Sequence, residues 1–323
     1  MLADQVINIK KCEAFLTSTL PSTLKTFDNF FTSLQISSTA NGLNLKGLKY
    51  CCKIIKSLAH PNPFNNLKFC VSSNVPPNTP FFPAAYHASE HAKFSLALEM
   101  ADEVVKIFEN YTSLTLVQQE LRKKFNEIYN ELIKICENGA KKSNVKFHGI
   151  DFSPAPYPTL EKSIGTAIEK LNFDHFGCRG SLIGIALIKS CIPKKEKVIG
   201  FSGFMQPVLE DFIISKRVSE GKISLEALLL NSAICGTGLD CIPLPHDISE
   251  RELFYILLDL CTLSISLNKP LTARLMPIKG KLSGDEVDFD FEYFAKSKVM
   301  NVPRLMDIKK SDLFYQNDDF FKF

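Results

Sequence analysis

The chain carries no tryptophan, no Cys-x-x-Cys pair, no long apolar run and no block of like charge. Ten cysteines are scattered without Cys/His zinc spacing, so the expectation is small buried thiols in a reducing cytoplasm rather than a metal knot or disulfide framework. Basic and acidic residues number 38 and 35 and are mixed along the chain, so no nucleic-acid partner is expected; that function needs a clustered basic footprint. No apolar stretch approaches the roughly 18–20 residues of a membrane span, and no basic-then-apolar leader opens the sequence. A cytoplasmic protein without a membrane partner is the expectation. There is no Gly-x-x-x-x-Gly-Lys-Ser/Thr loop and no Gly-x-Ser-x-Gly elbow. Gly236-Thr-Gly238 lacks the third glycine and acidic partner of a dinucleotide fingerprint, so no nucleotide-binding motif is present.

What the chain does have is bulk. With 323 residues, 45% of them hydrophobic and 26 of them phenylalanine, it can bury a large core. Helical spacing over 4–35 (Val6, Ile9, Phe15, Leu16, then Phe27, Phe30, Phe31, Leu34) predicts helices broken at Pro21. Leu43–Leu58 reads as a helix whose Cys51 and Cys52 point about 100° apart, which suits packing rather than dithiol chemistry. Strands are expected at Leu67–Ser73, Val145–Phe152, Val198–Gly203, in the stretch Ile234–Asp247, and at Pro270–Met276 and Val299–Pro303. Between them, helices are expected at Lys93–Asn110, Thr115–Asn138 (ending at Gly139), from Thr159 to Leu171, Ser181–Cys191, Gln206–Val218, Leu225–Asn231 and Ser249–Leu267. The last of these opens with a Ser249/Glu252 capping box. This alternation predicts an α/β fold, a parallel core or barrel flanked by helices, in one domain over 1–323 with a loosely ordered tail from 304 to 323.

Ile234–Asp247 is the densest stretch, with two Gly, two Cys, two Asp, two Pro and one His where a core strand meets a loop. In parallel α/β sheets ligands bind at strand carboxyl ends. The residues standing there are Asp151, Ser153, Ser202, Gly203, Gly238, Asp240, Cys241, His246, Asp247, Arg274, Lys279 and Lys281. His87 sits on the proline-rich loop after the first strand, and His87 and His91 share i, i+4 spacing. Arg274 with Lys279 or Lys281 suits an anion, and Gly177-Cys-Arg-Gly180, which carries Arg179, is a hint of a backbone anion cradle at a helix start. Asp151 and Asp240 suit acid/base work, or together a hard divalent cation such as Mg or Ca, and Cys241 suits a nucleophile if a cation lowers its pKa. Each has a bland counterpart: a cap, an ion pair, a packed thiol.

Five segments then carry a family resemblance. Asp151-Phe-Ser-Pro-Ala-Pro, Gly177-Cys-Arg-Gly180, Phe201-Ser-Gly-Phe-Met-Gln-Pro-Val-Leu-Glu-Asp211, Gly238-Leu-Asp-Cys-Ile-Pro-Leu-Pro245 and Ala273-Arg-Leu-Met-Pro-Ile-Lys-Gly-Lys281 resemble, in order, the family called domain of unknown function 711. Pro80-Phe-Phe-Pro-Ala-Ala-Tyr-His87 resembles its archaeal branch, while Pro245-His246-Asp247 stands where the bacterial pattern has Pro-Gly-Asp. The resemblance implies an α/β barrel similar to pyruvate formate-lyase. It does not imply glycyl-radical chemistry, because residues 280–323 hold no Arg-Val-x-Gly-Tyr-type loop. It also implies, from bacterial members, a small amino-acid-sensing regulatory partner.

The expected function is therefore an enzyme acting on a small anionic metabolite, a carboxylate or phosphate, by non-radical acid/base or metal-assisted chemistry. The alternative is a non-catalytic binding or regulatory module working with a protein partner. A second copy of the chain and a small regulatory protein are the macromolecular partners it admits.

Overall fold

The computed structural model describes residues 13–306 and 312–323, so the expected helical positions Val6 and Ile9 lie outside the described residues. In chain order the elements are α1 (Leu20–Thr26), β1 (Thr32–Ser38), β2 (Gly42–Asn44), α2 (Leu45–Leu58), β3 (Phe69–Ser73), β4 (Lys93–Glu99), α3 (Ala101–Asn110) and α4 (Leu114–Ser143). There follow β5 (Lys146–Ala155), α5 (Ile164–Glu169), α6 (Ser181–Cys191), α7 (Phe212–Ser219), α8 (Leu225–Cys235), β6 (Gly238–Pro245), α9 (Glu250–Ser266) and β7 (Leu271–Ile278). The chain ends with β8 (Glu286–Val287), β9 (Ser297–Lys298), α10 (Leu313–Gln316) and β10 (Phe320–Phe321).

The central sheet runs β10-β2-β1-β3-β7-β6, and β4 and β5 form a second sheet. β1 and β3 are parallel, as are β6 and β7, and as are β4 and β5; β3 and β7 run antiparallel. The α/β expectation is met in this coarse form: a parallel-rich sheet with flanking helices. The expected barrel is not closed among the described residues. The large sheet ends in β10 and β6, and no ladder joins it to β4 and β5. No helix among the described residues is long and apolar enough to cross a membrane.

Local chemistry explains both the agreements and the differences. α2 starts where the Asn44 side chain accepts from Gly47 N–H, and buries Leu48, Cys51, Cys52, Ile55 and Leu58. Burial raises both thiols of the Cys51–Cys52 pair, as packing predicts. α9 has its capping box at Ser249 and Glu252. The helix expected through residue 35 stops at Thr26, because Phe27 is extended, and Thr32–Ser38 pairs with β3 instead. Lys93–Glu99 likewise pairs with β5 rather than opening α3, so His87 and His91 share no helix face. Gly139 lies inside α4, which ends at left-handed Asn144. Thr159 makes no side-chain cap; Ser163 caps α5 instead. Val198 makes a single bridge to Ile150 instead of a strand, and Val299 follows β9 rather than opening one. From the tail, Phe320 and Phe321 add β10 to the edge of β2.

β6 is an edge strand, which is where Pro243 and Pro245 can stand without breaking a second ladder. Its first residue, Gly238, has φ +109°, and a Cβ there would lie 2.1 Å from the Thr272 carbonyl oxygen of β7. Gly238→Ala is expected to cost about 2–4 kcal/mol, since backbone strain and a backbone clash coincide. A urea melt checks it; an unchanged midpoint would mean that the two strands do not need this close approach.

Candidate active site

The site begins with a register fault. Leu239 pairs with Ala273 and Ile242 with Leu275, so Asp240 and Cys241 together face the single residue Arg274. This bulge holds Cys241 at φ +48°, a conformation non-glycine residues rarely adopt. The Asp240 carboxylate forks onto the guanidinium: Oδ1 accepts from Nε and Oδ2 accepts from Nη2 at 2.8 Å. Glu210 completes the group, its Oε1 accepting from Arg274 Nη2 at 3.0 Å and from the Cys241 thiol at 3.3 Å. Asp240 also fixes Glu210 indirectly, because its backbone carbonyl accepts from Val208 N–H at 2.9 Å. Residues 206–210 are therefore held against the bulge, and the expected helix at Gln206 starts only at Phe212, capped by Asp211.

Burial sets the electrostatics. Arg274 is only 9% exposed, and although burial opposes its charge, Asp240 and Glu210 hold its pKa well above the usual range. Burial raises Glu210, Asp240 adds to that, and Arg274 pulls the other way; the net direction is up. Burial also drives the Cys241 thiol well above its ordinary value, with Arg274 opposing. Cys241 is thus a thiol that donates to Glu210, and the nucleophilic role expected for it is not what this setting favours.

Two joined cavities open onto these groups. One, of about 160 Å³, is lined by Cys70, Thr237, Thr272, Asp240, Phe82 and Met205. The other, of about 470 Å³, is lined by Phe31, Leu98, Glu99, Tyr157, Phe291 and Tyr293. Glu210, Arg274, Phe81, Ala155 and Pro156 belong to both. Residues of β3, β6 and β7 thus face residues of β4 and β5 across the space. Arg274 Nη1, Glu210 Oε2 and Thr237 Oγ1 are among the polar atoms of these lining residues that have no hydrogen-bond partner among the described residues.

The other residues singled out in the sequence are placed elsewhere. Asp151 lines neither cavity. Its carboxylate accepts from Phe201 N–H, Ser202 N–H, Ser153 N–H and the Ser153 hydroxyl, and burial still pushes its pKa up to about 6. Ser153 and Ser202 extend this knot, to Gly203 N–H and to Phe152 N–H respectively, so Asp151, Ser153, Ser202 and Gly203 together fasten the 199–204 loop to β5. Arg179, Lys279 and Lys281 are exposed and line neither cavity. His87 lines a separate depression with Asn78 and Lys93, its ring bonded to Ser89 O. His246 bonds Lys281 O, and Asp247 pairs with Arg304.

Glu210 and Thr237 are the residues that sequence reasoning passed over. Glu210 stood inside a quoted motif, but its position depends on the loop before α7. Thr237 was hidden by the glycines on either side of it.

Glu210, Asp240 and Cys241 offer ligand atoms within 4.8 Å of one another. They do not suit a divalent cation here: Arg274 already takes both Asp240 oxygens and Glu210 Oε1, and the thiol is held protonated. Nor does the pair Asp151 and Asp240 suit one, since four donors occupy Asp151. Asp151→Asn is expected to lower unfolding free energy by about 2–3 kcal/mol, because the amide nitrogen would face N–H donors. Thermal or urea unfolding reads this directly; a variant as stable as wild type would return Asp151 to the list of functional groups.

Comparison with known proteins bears out the family resemblance. The family described as "Uncharacterised ACR (DUF711)" matches residues 5–297. A UPF0210 protein of Pyrobaculum arsenaticum is 29% identical over 298 residues, covering 87% of this chain and 64% of the relative. One from Pyrobaculum aerophilum is 30% identical over 289 residues (85% and 62%), and one from Lactiplantibacillus plantarum 27% over 296 (89% and 66%). The chain spans less than two thirds of the length of these curated relatives. On the extent of the family match, which takes in every site residue named above, the chain belongs to the family Uncharacterised ACR (DUF711).

Proposed function

We propose that the protein is an enzyme acting on a small anionic metabolite, with Glu210 carrying the proton and Arg274 holding the anion. The observation that supports this best is the division of labour within Glu210. Oε1 is anchored by Arg274 and Cys241, while Oε2 is unpartnered among the described residues, and Glu210 lines both cavities. A carboxyl fixed by one oxygen, raised in pKa by burial and open at the other oxygen suits general acid/base work. Asp240 takes the positioning role: both its oxygens lie on the guanidinium, on Nε and Nη2, which leaves Nη1 without a partner among the described residues. No metal or radical step enters this reading.

The test uses pooled small carboxylates and phosphates incubated with purified protein and followed by mass spectrometry. Wild type is expected to convert at least one compound, and Glu210→Gln to slow that conversion by about 10²–10⁴ while still binding it. Turnover that survives Glu210→Gln would sink the assignment. A ligand bound tightly and recovered unchanged from wild type would favour the non-catalytic binding module instead.

A further inference from the structure

The joined cavities contain a single cationic side chain among their described lining residues, and it is already shared by two carboxylates. With Asp240 and Glu210 ionised, the group Arg274–Asp240–Glu210 carries one surplus negative charge. An anion entering beside Arg274 Nη1 would make that two, in a place where Arg274 is 9% and Thr237 4% exposed. Charge can stay constant only if one carboxylate takes up a proton. Asp240 is fully engaged on the guanidinium, whereas Glu210 has Oε2 unpartnered. The titratable and charged groups around Glu210 are Asp240 and Cys241 from β6, Arg274 from β7, Cys70 from β3, Glu99 from β4, and Tyr157 and Tyr293 across the larger cavity. Apart from Arg274, none supplies a positive charge.

We propose that the ligand is an amphipathic monocarboxylate, whose one negative charge replaces that of Glu210 on Arg274 as Glu210 binds a proton. This rests on the reading of the cavities as a substrate site. The head sits in the smaller cavity, whose lining includes Arg274 and Thr237, the residues that carry the unpartnered donors Nη1 and Oγ1. That space, about 160 Å³, admits a carboxylate but offers no second cation for a phosphate dianion. The body lies in the larger cavity, against Phe31, Leu98, Tyr157 and Phe291, where an apolar ring or branched chain is sheltered from water. Protonated Glu210 turns Oε2 into a donor toward the same carboxylate.

The experiment is titration calorimetry of the full chain with 3-phenylpropionate, 2-phenylethyl phosphate, 3-phenylpropanol and 3-phenylpropylamine, each in two buffers of different ionisation enthalpy. The expected result at pH 8 is that the carboxylate binds best, with uptake of about one proton. Glu210→Gln, a neutral mimic of the protonated acid, is expected to bind it about tenfold tighter with no proton uptake. Thr237→Val is expected to bind it several-fold weaker. Preference for the phosphate or the amine, carboxylate binding without proton uptake, or no binding of any probe at millimolar concentration overturns the proposal. Binding with proton uptake but no turnover of any bound carboxylate is a separate outcome: it leaves this inference standing and defeats only the acid/base reading of Glu210.

Discussion

Arg274 enters the interior opposite a strand that carries one residue too many, and the site follows from that mismatch. In a regular parallel ladder Asp240 and Cys241 would alternate, one on each face. The bulge sets both against Arg274, so that Asp240 can fork the guanidinium while the thiol points to Glu210. Cys241 bears the conformational strain, at φ +48°, and the ion pair across the bulge offsets it. The bulged Asp240 carbonyl then takes Val208 N–H, which keeps residues 206–210 out of α7 and delivers Glu210 to the cavities. Proline suits this strand for the same reason that it lies at an edge: β6 needs only one partner.

Buried carboxylates do two kinds of work here, and their donors tell the two apart. Asp151 and Asp211 each accept four hydrogen bonds, mostly from backbone N–H groups of other segments, and act as loop anchors. Neither lines the cavities. A carboxylate saturated by backbone donors has no lone pair to offer a ligand, and moving it would release the loop it holds. Gly200 fits this logic: at φ +67° it passes so close to Asp151 that a Cβ would lie 2.3 Å from Oδ2. Asp240 and Glu210 face a side-chain cation instead, and Glu210 keeps one oxygen free.

Much of the scaffold was legible in the sequence because it is locally encoded. The Ser249/Glu252 capping box, the helix of Ser181–Cys191 and the strand through Gly238–Pro245 all rest on short-range patterns. β4 and β1 were misread as helix because their apolar residues also fit a 3.6 period; the pairing with β5 and β3 decided the matter. Strand-end reasoning placed Asp151 and Lys279 in the site with equal weight, yet a knot of backbone donors takes the first and solvent the second. Glu210 was illegible for a different reason: periodicity assigned it to a helix, and only a hydrogen bond from Val208 to a strand thirty-odd residues later in the chain removes it from one.

The same geometry argues against treating Cys241 as the reactive centre, although a thiol beside an arginine suggests one. An adjacent cation lowers a thiol pKa, but burial and nearby carboxylates can outweigh it. Arg274 is paired with Asp240 and Glu210, both closer in chemistry to what a guanidinium prefers. At Cys241 burial and the repulsion of these two carboxylates outweigh Arg274 and keep the proton on sulfur. A protonated thiol is a donor, and its one acceptor is the Oε1 that Arg274 also holds. The thiol therefore helps fix the carboxyl it would otherwise have to rival as a nucleophile, and the chemistry of the site falls to the oxygen on the other side of Glu210.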